Sequence, residues 1–179
     1  DHLGRGQGGN SLARGEELQE LHLGADDNAS GVAAMMQIAS FLSKAIASGE
    51  LKLKHDIVFA AWSGEELGIL GSNHHVNSKL DHPHASLGDH MVAYLNMDMI
   101  GRFRDKLVLQ GLGSSSVWLP MIERANLQTE LPIVIQKDTY LPTDATSFYL
   151  KKVPILSAFT GAHSEYHTPR DTADKINYS

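Results

Sequence analysis

Hydrophobic and polar positions along this chain follow first a helical and then an extended pattern. Between Val32 and Ile46 the apolar residues recur every three or four positions, which predicts an amphipathic helix with Asn28 or Ser30 as its cap. The run Ile57–Trp62 is apolar throughout, which is typical of a strand covered on both faces. Similar patterns predict strands over 91–98, 106–110, 133–136 and 154–159, and helices from about residue 66, over 115–126 and over 143–150.

Strands that alternate with helices indicate an α/β fold of three layers, in which helices flank a mostly parallel central sheet. A length of 179 residues suits one domain, residues 1–179, with a real core. The first 24 residues are rich in glycine and polar residues, and we interpret them as a long loop. In such sheets ligands bind at the carboxyl ends of the strands, where candidate chemistry should be sought.

Composition excludes several classes of function. The net charge of −6 and the lack of a basic run argue against a nucleic-acid partner. No apolar run approaches the length of a membrane span, so we expect no membrane partner. The chain has no cysteine, which rules out a disulfide framework and a thiolate metal site. No pattern in the sequence indicates an oligomeric state.

Four short patches place a carboxylate or an imidazole beside small or turn-forming residues. Two of them lie where the predicted elements put the carboxyl end of a strand. Oxygen and nitrogen ligands of this kind suit zinc. Such a set could hold a metal ion, activate a water molecule and supply a general base. The patches are Gly24–Gly31, Ser63–Gly68, Asn96–Met99 and Tyr166–Pro169.

Taken singly, most of these residues also have an ordinary structural explanation. Asp27 suits an Asx turn or a helix cap. Glu65 and Glu66 suit the first turn of a helix, where the dipole favours acidic side chains, and His167 could be a surface imidazole. Asp98 differs, because a carboxylate that ends an apolar strand is costly to bury unless it is paired or bound to metal.

Together the patches resemble the co-catalytic zinc aminopeptidase family, which includes bacterial leucyl aminopeptidases, glutamate carboxypeptidases and glutaminyl cyclases. The resemblance covers nearly the whole chain in the right order. It implies a zinc-exopeptidase-like fold and a peptide substrate with a free N-terminus. The matching stretches are residues 1–4, 24–31, 62–71, 95–101, 142–148 and 166–174.

The resemblance also assigns roles to the metal-site residues. Asp27 would bridge two zinc ions, and its peptide bond to Asn28 would be cis, as is common in the family. Glu66 and His167 would complete one zinc site, and Asp98 would belong to the other. Zinc bound there would polarise the substrate carbonyl and make water a better nucleophile.

Three further roles follow from the same resemblance. Glu65 would be the general base, taking a proton from the attacking water and passing it to the leaving amine. Tyr140 aligns with a tyrosine that donates a hydrogen bond to the developing oxyanion in some members. Asp1 would act from outside the metal's ligand set, by orienting a histidine ligand that the family places two positions earlier.

That histidine ligand is not in the sequence. We therefore expect a chain trimmed at both ends, without the family's N-terminal strands and C-terminal helix. We also expect one zinc ion to bind firmly at Asp27, Glu66 and His167, and a second to bind weakly or not at all. His2 and His22 are candidates to replace the missing ligand.

Three functions stay open from the sequence. The first is an aminopeptidase that removes the N-terminal residue of a peptide. The second is a glutaminyl cyclase, whose single zinc uses the equivalents of Asp27, Glu66 and His167, although the retained Asp1 and Asp98 argue against it. The third is an interaction domain or a catalytically incompetent fragment. Because many relatives are exported, we expect a periplasmic or secreted location.

Overall fold

The computed structural model describes residues 2–5, 10–78 and 87–178. Its helices are α1 (Gly31–Ala47), α2 (Leu70–Asn77), α3 (Leu87–His90), α4 (Trp118–Thr129) and α5 (Ala145–Tyr149). Its strands are β1 (Gly4–Arg5), β2 (Leu21–His22), β3 (Tyr94–Met97), β4 (Leu107–Gln110), β5 (Ile133–Ile135) and β6 (Ile155–Phe159). Short 3₁₀ helices lie at Gly15–Gln19, Leu112–Ser114 and Ala173–Lys175.

The central sheet has four strands in the order β3-β6-β4-β5. β3 pairs with β6 in parallel, as β4 does with β5, whereas β4 and β6 are antiparallel. In the parallel register Asn96 lies opposite Ser157, so β3 and β6 end at the same edge of the sheet. Asp98 follows β3 at this edge, and its backbone amide donates to the Ala158 carbonyl at 3.2 Å.

Apolar side chains pack on both faces of the sheet, as expected for strands whose successive side chains point to opposite sides. Ile155 of β6 joins Phe148 and Val76, which belong to α5 and α2. The next residue, Leu156, packs on the other face against a cluster that includes Trp118 and Ile122 of α4. The predicted α/β fold, with a mostly parallel sheet between helices, is therefore confirmed.

The prediction of a buried strand at Ile57–Trp62 is wrong. This segment has no strand structure, and Val58 is 80% exposed. A strand needs a neighbour that takes up its backbone hydrogen bonds, and no strand of the described ranges pairs with this segment. Its apolar composition alone therefore does not make it a strand.

Two other boundaries differ from those predicted. The helix expected from about residue 66 begins at Leu70, because residues 65–69 form a tight turn in which Ile69 N donates to Glu65 O. The N-terminal region is more ordered than a long loop: β1 and β2 pair in antiparallel fashion, with Gly4 opposite His22.

Helix α1 forms where the apolar spacing predicts it, but its apolar face is only partly covered. Met36 and Phe41 are 65% and 66% exposed, and only Gly31 and Ala45 are buried. The segment Ala25–Ala47 is long and apolar enough to cross a membrane by length and composition alone. Its first turn, however, contains the buried Asp26 and Asp27. The absence of a membrane partner stays a prediction.

Candidate metal centre

Asp27 is held in place by the backbone on both sides of it. It lies in the irregular turn Ala25–Ser30 that leads into α1, with φ −104° and ψ 93°, outside the helical region. The Asp171 carboxylate accepts hydrogen bonds from the amides of Asp26 (2.9 Å) and Asp27 (3.0 Å) through the same oxygen. Arg102 donates to the other Asp171 oxygen at 2.9 Å and to Glu165 at 2.7 Å. A buried arginine thus fixes the aspartate that orients Asp27.

Asn28 connects this turn to the end of β3. Its side-chain amide donates to Met97 O at 3.0 Å, and its side-chain oxygen accepts from Gly31 N at 3.1 Å, as a helix cap does. A Cβ on Gly31 would lie 2.3 Å from Met97 O, so only glycine allows this approach. The Asp27–Asn28 peptide bond is cis, as the resemblance implies.

The two adjacent glutamates occupy the turn before α2. Gly64 adopts a left-handed conformation (φ 69°), and the Glu65 carbonyl accepts from Gly68 N and Ile69 N at 2.9 and 2.7 Å. The turn directs Glu66 into a buried position beside His167, while Glu65 lines the open cavity. The two neighbours can therefore have different tasks.

His167 brings the C-terminal part of the chain to the same point. Its Nδ1 lies 2.9 Å from the Asn10 carbonyl, which suits an Nδ1–H donor and leaves Nε2 as a free ligand atom. Nε2 lies 3.1 Å from Asp27 Oδ2 and 3.0 Å from Glu66 Oε2. The Nε2 atom is buried, yet it makes no aligned hydrogen bond.

The structure therefore brings together Asp27, Glu66 and His167, which the family resemblance implies as the ligands of one zinc ion. Asp98 and Glu65 line the same cavity, of about 540 Å³, as Asp27 and Glu66 do. The other residues that line it are Asn10, Gly68, Ile69, Met99, Gln110, Leu141, Pro142, Thr143, Ser157, Phe159, Ala162 and Tyr166.

Crowding of the acidic groups shifts their protonation. Burial, followed by repulsion from Glu66 and Asp98, raises the pKa of Glu65 to about 8. Burial and the charges of Asp27 and Glu66 raise the pKa of Asp98 to about 7. Burial also raises the pKa of Asp27. These shifts identify a site that concentrates negative charge, which a cation would neutralise.

Contacts between imidazoles and carboxylates favour the charged forms of both groups. Burial opposes ionisation of Glu66, but its contacts with His167 and His2 outweigh burial and lower its pKa to about 2. Burial also opposes protonation of His167, but contacts with Asp27 and Glu66 raise its pKa to about 10. Without metal, His167 is therefore positively charged at neutral pH, and its charge offsets part of the charge of the two carboxylates.

Two predicted residues are not placed in this cluster. Tyr140 is 71% exposed, and its ring lies against Tyr149 at 5.2 Å between centroids, so its role at an oxyanion stays a prediction. Asp1 lies outside the described residues.

Other residues at the site carry no predicted role. Tyr166 lines the cavity and stacks on His167, with ring centroids 3.7 Å apart. In the sequence, the position of Tyr166 next to His167 is the feature that could have indicated its place in the site. Arg102 and Asp171 act through the backbone of Asp27, and nothing in the sequence connects positions so far apart.

The donor set fits zinc. Two buried carboxylates, each about 3 Å from the Nε2 of a buried imidazole, are oxygen and nitrogen ligands of the type that zinc takes in catalytic sites. The orphaned Nε2 of His167 and the raised pKa values of Asp27 and Asp98 both indicate that a cation would relieve the site. The residues present therefore match the metal that the resemblance implies.

Known proteins share this chain's sequence and fold. It is 34% identical over 99 residues to an aminopeptidase of Pseudomonas aeruginosa, a match that covers 54% of this chain and 17% of that protein. It is 38% identical over 92 residues to leupeptin-inactivating enzyme 1 of Streptomyces exfoliatus, which covers 50% and 19% of the two chains. The matches thus span less than a fifth of either relative.

The fold is similar to that of a zinc aminopeptidase from Bacillus subtilis, with a TM-score of 0.72 and 22% identity over 87% of this chain and 38% of the other. The sequence profile described as Peptidase family M28 matches residues 1–179. Since that match covers the whole sequence and the predicted zinc ligands converge, the chain belongs to Peptidase family M28.

Proposed function

We propose that this chain forms the metal site of a zinc-dependent aminopeptidase. The observation that carries the proposal is the convergence of Asp27 and Glu66 on the unpartnered Nε2 of His167, at 3.1 and 3.0 Å. Membership of a peptidase family and similarity to proteins named aminopeptidases support it. The periplasmic or secreted location stays a prediction.

Asp27, Glu66 and His167 would hold the first zinc ion, and Asp98 with Asp27 would contribute to a second. A bound zinc ion supplies Lewis-acid chemistry, because it polarises a carbonyl oxygen and makes water more acidic. The Arg102–Asp171 pair keeps the Asp27 backbone fixed, so the carboxylate is already oriented when metal arrives.

Glu65 is our candidate for the general base. It borders the cavity beside Glu66 and Asp98, where its carboxylate can take a proton from the attacking water and deliver it to the leaving amine. Its pKa of about 8 in the metal-free protein lies near neutral pH, the range in which proton transfer in both directions is efficient. Metal bound beside it would favour the carboxylate form.

The cavity also indicates the kind of substrate. Its acidic end would attract the free ammonium of a peptide N-terminus. Apolar side chains line the rest, among them Ile69, Met99 and Phe159. A volume of about 540 Å³ leaves room for an apolar side chain of medium size. We therefore propose peptides with an apolar first residue as substrates.

The test is hydrolysis of leucine arylamide by the zinc-loaded chain, beside the Glu65→Gln variant. We expect the variant to bind zinc as the wild type does while kcat falls by about 10²–10⁴, the usual contribution of a general base. Equal rates for the two proteins would refute the role of Glu65. Absence of hydrolysis by a zinc-loaded wild type would refute the aminopeptidase itself.

A glutaminyl cyclase is the other enzyme that the same three ligands could form. Incubation with a glutamine-initiated peptide, analysed by mass spectrometry, separates the two. Cyclisation removes ammonia from that peptide and leaves its chain length unchanged, whereas an aminopeptidase shortens it by one residue. A chain that binds zinc but changes neither substrate would instead be an interaction domain.

A further inference from the structure

His2 lies beside the zinc ligands, although the family resemblance gives it no role. Its Nδ1 is 3.4 Å from Glu66 Oε1, and its ring centroid is 6.0 Å from that of His167. The candidate ligand atoms of His2, Asp27 and Glu66 all lie within 4.8 Å of one another. His2 therefore faces the same small volume as the three ligands described above.

Both ring nitrogens of His2 are buried, although the residue as a whole is only half-buried. Its side chain is 12% exposed, and neither ring nitrogen has a hydrogen-bond partner within the described part of the chain. A buried polar atom without a partner costs about 1–3 kcal/mol, so natural proteins rarely keep one without a purpose. Metal ligation would satisfy the nitrogen that points toward Glu66.

The local backbone makes room for this ring. Gly24 has a left-handed conformation (φ 60°), and a Cβ there would lie 2.6 Å from His2 Cδ2 and 2.7 Å from His2 Cγ. The β1–β2 pairing, with His22 Nδ1 3.1 Å from Gly4 O, keeps the preceding residues near the site. The Gly24 turn and the β1–β2 pairing therefore place His2 beside Glu66.

The spacing of the atoms suits one tetrahedral ion. Ligand atoms bound to zinc at about 2.0–2.1 Å in a tetrahedron lie roughly 3.3 Å apart. Three separations are of this size, namely His167 Nε2 to Glu66 Oε2 (3.0 Å), His167 Nε2 to Asp27 Oδ2 (3.1 Å) and His2 Nδ1 to Glu66 Oε1 (3.4 Å). Glu66 would therefore present one carboxylate oxygen toward each imidazole. Four protein ligands would give a closed coordination shell of the kind that holds zinc firmly.

We propose that His2 is the fourth protein ligand of the zinc ion held by Asp27, Glu66 and His167. The proposal rests on the zinc site of the proposed function, and it adds a residue of this chain to that site. A closed shell leaves no position for water, so His2 must leave the ion before the ion can take part in hydrolysis. His2 would thus be a ligand that competes with water.

The experiment compares the wild type with His2→Ala and with His55→Ala, which removes an exposed histidine as a control. Competition with a chromophoric chelator measures zinc affinity, and circular dichroism checks folding. We expect His2→Ala to weaken zinc binding by more than about 100-fold, since loss of a partner outside the ligand set costs roughly 10–100-fold. His55→Ala should not change it.

Cobalt substitution shows whether His2 binds the metal or only lies beside its ligands. Replacing zinc by cobalt(II) should give the wild type the intense visible bands of a tetrahedral site, and His2→Ala should shift and weaken them. An unchanged spectrum in His2→Ala would overturn the proposal, whatever the change in affinity. Failure of the wild type itself to bind zinc would refute the zinc peptidase, which is a different result.

Discussion

The crowded carboxylates should make the metal-free protein less stable as pH rises. A substitution at Asp98 tests this effect at a single carboxylate. Burial and the charges of Asp27 and Glu66 raise its pKa from 3.8 to about 7. A group with a raised pKa contributes its full stability below the unfolded value and loses it as pH rises through the folded one. At alkaline pH the folded protein therefore has to accommodate a charge that burial disfavours.

The shift sets the size of the effect. A difference of about three pKa units corresponds to roughly 4 kcal/mol at about 1.4 kcal/mol per unit, which is an upper limit. About a third of it is already lost at pH 5. Asp98→Asn should therefore stabilise the metal-free protein by up to about 3 kcal/mol more at pH 8.5 than at pH 5.

Thermal unfolding in the presence of a chelator measures this difference. For a chain of this size 1 kcal/mol moves Tm by about 2–4 °C, so the variant's gain in Tm should grow by roughly 5–10 °C between the two pH values. Asp105→Asn, at an exposed aspartate, is the matched control and should show no such trend. An equal effect of Asp98→Asn at both pH values would show that charge repulsion does not govern this site.

Three more predictions follow from the contacts. Asp171→Asn should weaken zinc binding by about 10–100-fold in a chelator competition, because it loosens the backbone of Asp27, whereas the exposed Asp174→Asn should not. Zinc binding at pH 7.5 should release about one proton or more, since His167 has a pKa of about 10 without metal. Calorimetry in buffers of different ionisation enthalpy would detect the released proton, and binding without proton release would contradict the prediction. Phe148→Ala should lower the free energy of unfolding, measured in urea, by about 3–5 kcal/mol, because this fully buried ring of α5 stacks on Tyr94 of β3. Leu127 is 80% exposed, so Leu127→Ala should change the free energy of unfolding little.

The sequence predicts well those elements whose own pattern determines them. Helix α1 and strands β3 to β6 have periodic or apolar signatures, and the chain forms them within a few residues of the predicted bounds. The segment Ile57–Trp62 has as strong a signature but is not a strand. A strand depends on its neighbours for hydrogen bonds, and a local pattern contains no information about those neighbours.

The candidate ligands and the residues that orient them also differ in how well the sequence predicts them. Asp27, Glu66 and His167 each lie in a short motif of turn residues, and the combination of these motifs resembles a known family, so the sequence marks them as candidate ligands. Arg102 and Asp171 interact across 69 positions of the sequence, in a contact that only the folded chain creates. Side chains that bind metal are constrained locally, whereas the groups that orient them come from wherever the fold provides a partner.

Because the residues that orient Asp27 lie outside the candidate ligand set, the acidic site can form before metal binds. Arg102 pairs with Asp171 and Glu165, so its positive charge balances carboxylates outside the predicted ligand set. The ion-pair partners of Asp27 and Glu66 within the described ranges are imidazoles, so the cluster facing the cavity keeps an excess of negative charge. Folding therefore fixes the positions of the candidate ligands, while the repulsion among them persists until a cation binds. Removing one carboxylate, as in Asp98→Asn, should stabilise the metal-free protein and weaken metal binding at the same time.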